Sequence, residues 1–233
     1  MAIEISHRFY DRLNCTQGIK DLNVIVVGTF NPGLPVLSKL TAQEIVDFEK
    51  IQKEPRFAGI NSVMNFYDRP QNRFWKIMDV INSPSFYEDG HYHKQNPVGL
   101  KFYKNMLYRQ EVFQRQQKFC KEYGILITDI VKAIRPKTFT SIYHKFPDTA
   151  IEKASPIFNT AEIIHIIKSH LPEKVIINFN PFNNSIPLIG RQIQTISQQF
   201  PELVYTKMAS TSGAAGFNYK KLVEDWSQHF LSK

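Results

Sequence analysis

Apolar and polar positions alternate along this chain in blocks that give its architecture before any motif is considered. Val24, Ile25, Val26 and Val27 form an unbroken, mostly β-branched run closed by Gly28, and similar runs occupy 125–131, 174–179 and 203–208. Continuous apolar runs of this length suit strands buried on both faces, as in a parallel sheet. The intervening stretches carry apolar residues at helical spacing. Thr41 and Glu44 form a capping box ahead of Ile45, Phe48 and Ile51, which predicts an inserted amphipathic helix over 41–53, either a lid or a structural element. Asn72 is a good N-cap for a helix from Arg73 with Phe74, Ile77, Met78 and Ile81 toward the core. Further helices are predicted over 110–123 (closed by Gly124), 161–170, 186–200 and 219–230, the last with Leu222, Val223, Trp226 and Phe230 on one face. Residues 1–21 read as a short helix and loop, and 82–104 as a loop.

Strands separated by helices imply a mainly parallel sheet of about four strands, covered on both faces. The expected fold class is α/β, a three-layer αβα sandwich around a parallel four-stranded sheet. With 233 residues, no repeat and no long linker, residues 1–233 form one domain with a helical insertion at about 34–64.

Composition narrows the partners. Lys and Arg number 29 against 21 Asp and Glu, a net charge of +8, which favours polyanions, nucleic acid foremost. Cys15 and Cys120 stand far apart without a pairing or metal-binding pattern, as expected of reduced thiols in a cytoplasmic protein. The first residues mix charged and apolar types unlike a signal peptide, and no apolar run approaches the length of a membrane span. No membrane partner, no metal and no cofactor are expected, and a monomer is.

Candidate chemistry lies in the loops beyond the apolar strands, where open α/β sheets bind ligands. The first loop carries Asn31, whose amide both donates and accepts, ahead of Pro32-Gly33, which predicts a turn. The second loop, 129–137, begins with Asp129 and carries Arg135 and Lys137, two cations placed to face a nucleic acid. The third loop, 209–216, reads ASTSGAAG; its hydroxyls and glycines suit either a phosphate cradle or a flexible turn. Serine-hydrolase elbows, zinc motifs, Walker loops and dinucleotide fingerprints are absent from the sequence. His91 and His93 lack the partner spacing of a metal site.

Taken together these stretches resemble the uracil-DNA glycosylase superfamily. Gly28-Thr29-Phe30-Asn31-Pro32-Gly33 looks like the GINPG-type first motif of the mismatch-specific uracil-DNA glycosylases with one extra residue. Tyr67 to Lys76, YDRPQNRFWK, is close to a signature shared with the hypoxanthine-DNA glycosylase branch, and Met208 to Ala214 resembles the last motif of that branch. The resemblance implies DNA repair by hydrolysis of the N-glycosidic bond of a deaminated base, uracil or hypoxanthine in type, flipped out of DNA. It places Asn31 as the residue orienting the attacking water and Tyr67 as the ring stacked on the base. Gly28, Phe30 and Asn72 would shape the base pocket. Ser210, Thr211, Ser212 and Gly213 would grip the flanking phosphates, with Arg135 and Lys137 beside them.

Two departures stand out. Asp129 occupies the place of an Asn that reads the uracil edge, which leaves Asp129 open as a general base, and Ala209 and Gly213 replace two prolines of the last motif. Two cysteines cannot supply a four-ligand iron-sulfur cluster. The alternatives are a catalytically silent member of the superfamily that binds nucleic acid or a nucleotide, and a hydrolase of free nucleosides.

Overall fold

A computed structural model describes residues 3–53, 63–68, 72–82, 105–137, 147–212 and 218–230. The four apolar runs form one sheet. Strands β2 (Val24–Gly28), β4 (Ile125–Asp129), β7 (Lys174–Ile177) and β8 (Val204–Lys207) pair in the order β4-β2-β7-β8, every pair parallel. The first strand of the set lies inside, so the order reverses at β2. Such a reversal opens a crevice at the carboxyl ends of the strands. In register, Gly28 of β2 stands opposite Asp129 of β4.

Alternation along the strands divides the core. Ile25, Val27, Leu126, Val175 and Ile177 join one apolar cluster; Val24, Val26, Ile125, Ile127 and Ile176 join another. The first is completed by helices α5 (Thr160–His170) and α6 (Pro187–Gln199) through Ile163, Ile167, Ile189 and Ile193. Its counterpart is completed by α2 (Phe74–Asn82), α3 (Met106–Glu122) and α7 (Tyr219–Phe230), with Phe74, Trp75, Phe119 and Trp226 inward. Phe74 is therefore a core residue, as its helical spacing predicts, and Trp75 beside it is buried in the same cluster. Helix α1 (Ala42–Gln52) keeps its capping box: the Thr41 N–H donates to Glu44 Oε2 at 2.7 Å, and the Glu44 N–H donates back to Thr41 Oγ1 at 3.3 Å. It is anchored by Phe48, which is buried in the first cluster.

A second sheet was not predicted. Strands β1 (Ile5–His7), β3 (Pro32–Pro35), β5 (Val131–Ile134) and β6 (Pro156–Phe158) pair antiparallel in the order β3-β1-β5-β6. Three expectations change with it. The run 125–131 is two strands in two sheets, with Ile130 at the crossing; its N–H bonds Gly28 O and that of Val131 bonds Thr29 O. Pro32-Gly33 opens a strand instead of a turn, and a side chain on Gly33 would meet Ser6 O at 2.7 Å. Residues 5–7 are extended, so the amino-terminal helix reduces to a 3-10 turn over Tyr10–Arg12. Apolar patterning on both sides of Ile130 concealed the break.

Helix α4 (Asp148–Lys153) turns its buried Glu152 to the start of α6, where the carboxylate accepts from the Leu188 and Ile189 N–H groups. That supplies the cap which Ile186, without a side-chain hydrogen bond, does not.

Gly124, which closes α3, has φ +65°, and a Cβ there would stand 2.1 Å from Asp21 O. Gly124→Ala is expected to destabilise the fold by about 1–3 kcal/mol, read as a lowered urea midpoint with unchanged slope.

Candidate functional site

The carboxyl ends of β2 and β4 bring a buried carboxylate into the crevice. Asp129 has no solvent exposure. Its Oδ2 accepts from His7 Nε2 at 2.8 Å and from Asn31 Nδ2 at 2.7 Å. The Phe9 N–H donates to His7 Nδ1 at 3.0 Å, so the hydrogen bonds assign a neutral imidazole with its proton on Nε2. Phe30 packs edge-on against the His7 ring at 5.7 Å and Phe66 stacks on it at 5.4 Å. The main chain is braced as well, because Asn159 Nδ2 donates to the Asp129 carbonyl at 3.1 Å.

The other carboxylate oxygen is different. Asp129 Oδ1 is buried and makes no hydrogen bond, and the same holds for the Tyr67 hydroxyl. Both crowd Gly28, where a Cβ would stand 2.2 Å from the Tyr67 hydroxyl and 2.3 Å from Asp129 Oδ1. Only glycine fits there. Tyr67 holds φ +58°, an unusual conformation for an aromatic residue, and its ring lies 4.8 Å from that of Phe74. Burial pushes the Tyr67 phenol well above its ordinary range, the charge of Asp129 adds to the shift, and the nearby Asn178 amide opposes it.

A second carboxyl stands close by. Asp148, the first residue of α4, is raised above the ordinary Asp range by burial, with the Thr29 hydroxyl opposing through a hydrogen bond and the Asp129 charge reinforcing. Thr29 belongs to the same loop as Asn31.

The last loop meets the crevice through its backbone. Thr211 has no exposure, its N–H donates to Asn178 Oδ1 at 3.2 Å, and Asn178 Nδ2 donates to Thr211 Oγ1 at 3.0 Å. Its carbonyl accepts from the Arg73 N–H at 2.9 Å. Thr211 thus ties β7, the last loop and the start of α2 together, with its hydroxyl turned inward. Ser210 and Ser212 on either side are half-buried.

Sequence reasoning placed Gly28, Phe30, Asn31, Tyr67 and Asp129 in the site, and the structure brings them together. Asn72 serves as a cap, accepting from the Phe74 N–H at 2.9 Å. Arg135 and Lys137 follow β5 of the antiparallel sheet, not a parallel strand, and exposed Arg135 pairs with Glu4 at 2.9 Å. Gly213, His91 and His93 lie outside the described residues. Three site residues were missed. Asn178 follows β7 as Asp129 ends β4, but the third apolar run as read from the sequence, 174–179, extends past it. His7 and Asp148 gave no comparable signal.

Among the described residues no group of three His, Cys, Asp or Glu is placed to hold a metal ion, and no helix is long and apolar enough to cross a membrane. Open depressions lie elsewhere, one lined by Lys20, Lys118 and Lys121 and another by Arg12, Cys15 and Cys120. Buried polar chemistry, not concavity, nominates the crevice. No protein-family model matches the chain, and no curated protein matches it either.

Next to Tyr67, burial pushes Asp68 up to about 7 against the opposing Met64 N–H and Arg109. An unfolded Asp titrates near 4, so the folded form binds the proton more tightly. Its contribution to stability is complete below pH ~4 and is lost as pH rises to about 7. Asp68→Asn should flatten that decline in urea denaturation curves taken between pH 4.5 and 7.5.

Proposed function

We propose that this protein is a DNA glycosylase that hydrolyses the N-glycosidic bond of a deaminated base flipped out of the helix. One observation carries the reading. One N–H of Asn31 Nδ2 goes to Asp129, which sets the amide beside the unpartnered acceptor Asp129 Oδ1, with Asn31 Oδ1 as the amide's own acceptor. Two acceptors at the carboxyl ends of parallel strands are what positioning a water against a sugar carbon requires. An amide is a feeble base, and it suffices where the transition state is already oxocarbenium-like. Asp129 supplies a stronger acceptor than the Asn expected from the family resemblance.

In this reading the αβα layering of the uracil-DNA glycosylase superfamily organises the fold, and the protein works as a cytoplasmic monomer without cofactor. Tyr67 stacks on the extruded base, an interaction worth about 1–3 kcal/mol, with Gly28, Phe30 and Asn72 shaping the pocket. Ser210 and Ser212 grip the flanking phosphates, Thr211 braces the loop through Asn178, and Arg135 and Lys137 add to the attraction that a net charge of +8 provides.

A second reading, a non-catalytic binder of nucleic acid or a nucleotide, is favoured by a separate observation. Asp129 Oδ1 and the Tyr67 hydroxyl are shut away from solvent, so a base reaches them only after Tyr67 moves.

An excision assay on labelled oligonucleotides carrying uracil, hypoxanthine, xanthine or mismatched thymine separates these readings. The glycosylase reading expects alkali-sensitive breaks at one of these bases, reduced about 10²–10⁴-fold in Asn31→Ala and Asp129→Asn. DNA binding without cleavage selects the binder. Absence of binding at low salt removes both.

A further inference from the structure

His7 is bonded to the candidate carboxylate, and the proposed chemistry leaves it without a task. Strand β1 brings it to the site in a fixed register. His7 pairs with Pro32 of β3, and Ile5 and Ser6 pair with Ile134 and Ala133 of β5. The Arg8 N–H donates to the Asn31 carbonyl at 2.7 Å. One short strand thus holds the segments that follow both Asn31 and Asp129.

The ring is held as firmly as the strand. Its side chain has no solvent exposure, and the rings of Phe9, Phe30 and Phe66 lie 6.0, 5.7 and 5.4 Å from it. Nδ1 accepts from the Phe9 N–H at 3.0 Å, and Nε2 donates to Asp129 Oδ2 at 2.8 Å. Turning the ring would break both bonds.

The two oxygens of a carboxylate are equivalent until their partners distinguish them. Here His7 Nε2 and Asn31 Nδ2 both fall on Oδ2, while Oδ1 takes no hydrogen bond and lies beside Gly28. The bare oxygen is the better proton acceptor, because its lone pairs are uncommitted. Asn31 alone would let the carboxylate swing about a single bond. A cation in place of His7 would weaken the carboxylate as a base, whereas a ring with one proton holds it and leaves its charge intact.

Resting on the glycosylase reading, we propose that His7 is a positioning residue that acts through Asp129. It occupies Oδ2, stops the carboxylate from turning, and makes Oδ1 the atom that takes the proton of the attacking water once Tyr67 shifts aside. The water oxygen bonds to the sugar carbon, and the carbon–nitrogen bond breaks with its electron pair on the base. The water's proton passes to Asp129 Oδ1, and solvent supplies the proton that the base takes up. His7 neither gains nor loses one.

The test measures single-turnover excision and DNA affinity for His7→Phe, His7→Gln, Asp129→Asn and the double variant His7→Phe/Asp129→Asn, on the oligonucleotide that wild type cleaves. His7→Phe fills the space among the phenylalanines and cannot donate; His7→Gln keeps a side-chain N–H. The expected result is excision slowed about 10²-fold in His7→Phe, with DNA affinity unchanged. His7→Gln should recover most of that loss and keep the shape of the wild-type pH profile. In the Asp129→Asn background, His7→Phe should cost nothing further. A merely structural His7 would lower rate and affinity together, in that background as well, and this outcome overturns the proposal. So does a limb missing from the His7→Gln profile, for the ring would then be exchanging protons itself. Should His7→Phe not fold, His7→Gln decides: excision within about tenfold of wild type is expected, and a larger loss overturns the role. If wild type excises a base and His7→Phe does so equally well, the role of His7 falls and the glycosylase reading stands. A wild type inert on every base removes both.

Discussion

A carboxylate sealed inside a protein is costly unless donors meet it, by several kcal/mol after relaxation. Asp129 is such a group, and the elements around it meet that demand. His7 comes from the second strand of one sheet and Asn31 from the loop leaving the centre of the other, and both donate to the same oxygen. Asn159 holds the main chain behind it. The chain crosses from β4 to β5 one residue later, so the two sheets are joined where the carboxylate is held. Removing either donor would leave a buried charge short of a partner, at about 1–3 kcal/mol.

The same economy explains the orphaned oxygens. Asp129 Oδ1 and the Tyr67 hydroxyl lack partners although both are buried, and such groups concentrate where function holds them against their own stability. Tyr67 bears a further strain in its positive φ. Gly28 permits the crowding, because any Cβ would collide with both atoms. Strain, unpaired polarity and the missing side chain fall at one point, beyond the strand where the sheet order reverses. Separate causes acting at a single place are a stronger pointer to function than any of them alone.

Much of the parallel sheet was legible in the chain. Its four strands lie within the four apolar runs, and the helices other than α4 follow from apolar spacing and from caps such as Thr41 with Glu44 and Gly124. The antiparallel sheet was not legible. Its strands are three or four residues long, and β3 includes two prolines; pattern needs more length than that to show. Asn31 and Asp129 were found because they lie in the loops beyond apolar strands and in the stretches that carry the family resemblance. His7 was hidden in a three-residue strand, and its importance comes from a contact 122 positions away in sequence. Asp148 begins a short helix whose place beside Thr29 is a tertiary fact. Thr211 does not have the role expected of it, because it is fully buried and its hydroxyl and N–H are both bonded to Asn178.

The hub rests on one assignment, a neutral His7 that donates from Nε2 to Asp129 while its Nδ1 accepts from Phe9. Long-range nitrogen-15 correlation spectra of the histidine side chains report that state directly. The arrangement predicts a single-proton ring for His7 at neutral pH, with the proton on Nε2 and Nδ1 bare. A proton on Nδ1, or on both nitrogens, would contradict it, for the Phe9 N–H would then have no acceptor and Asp129 would be held by a different bond.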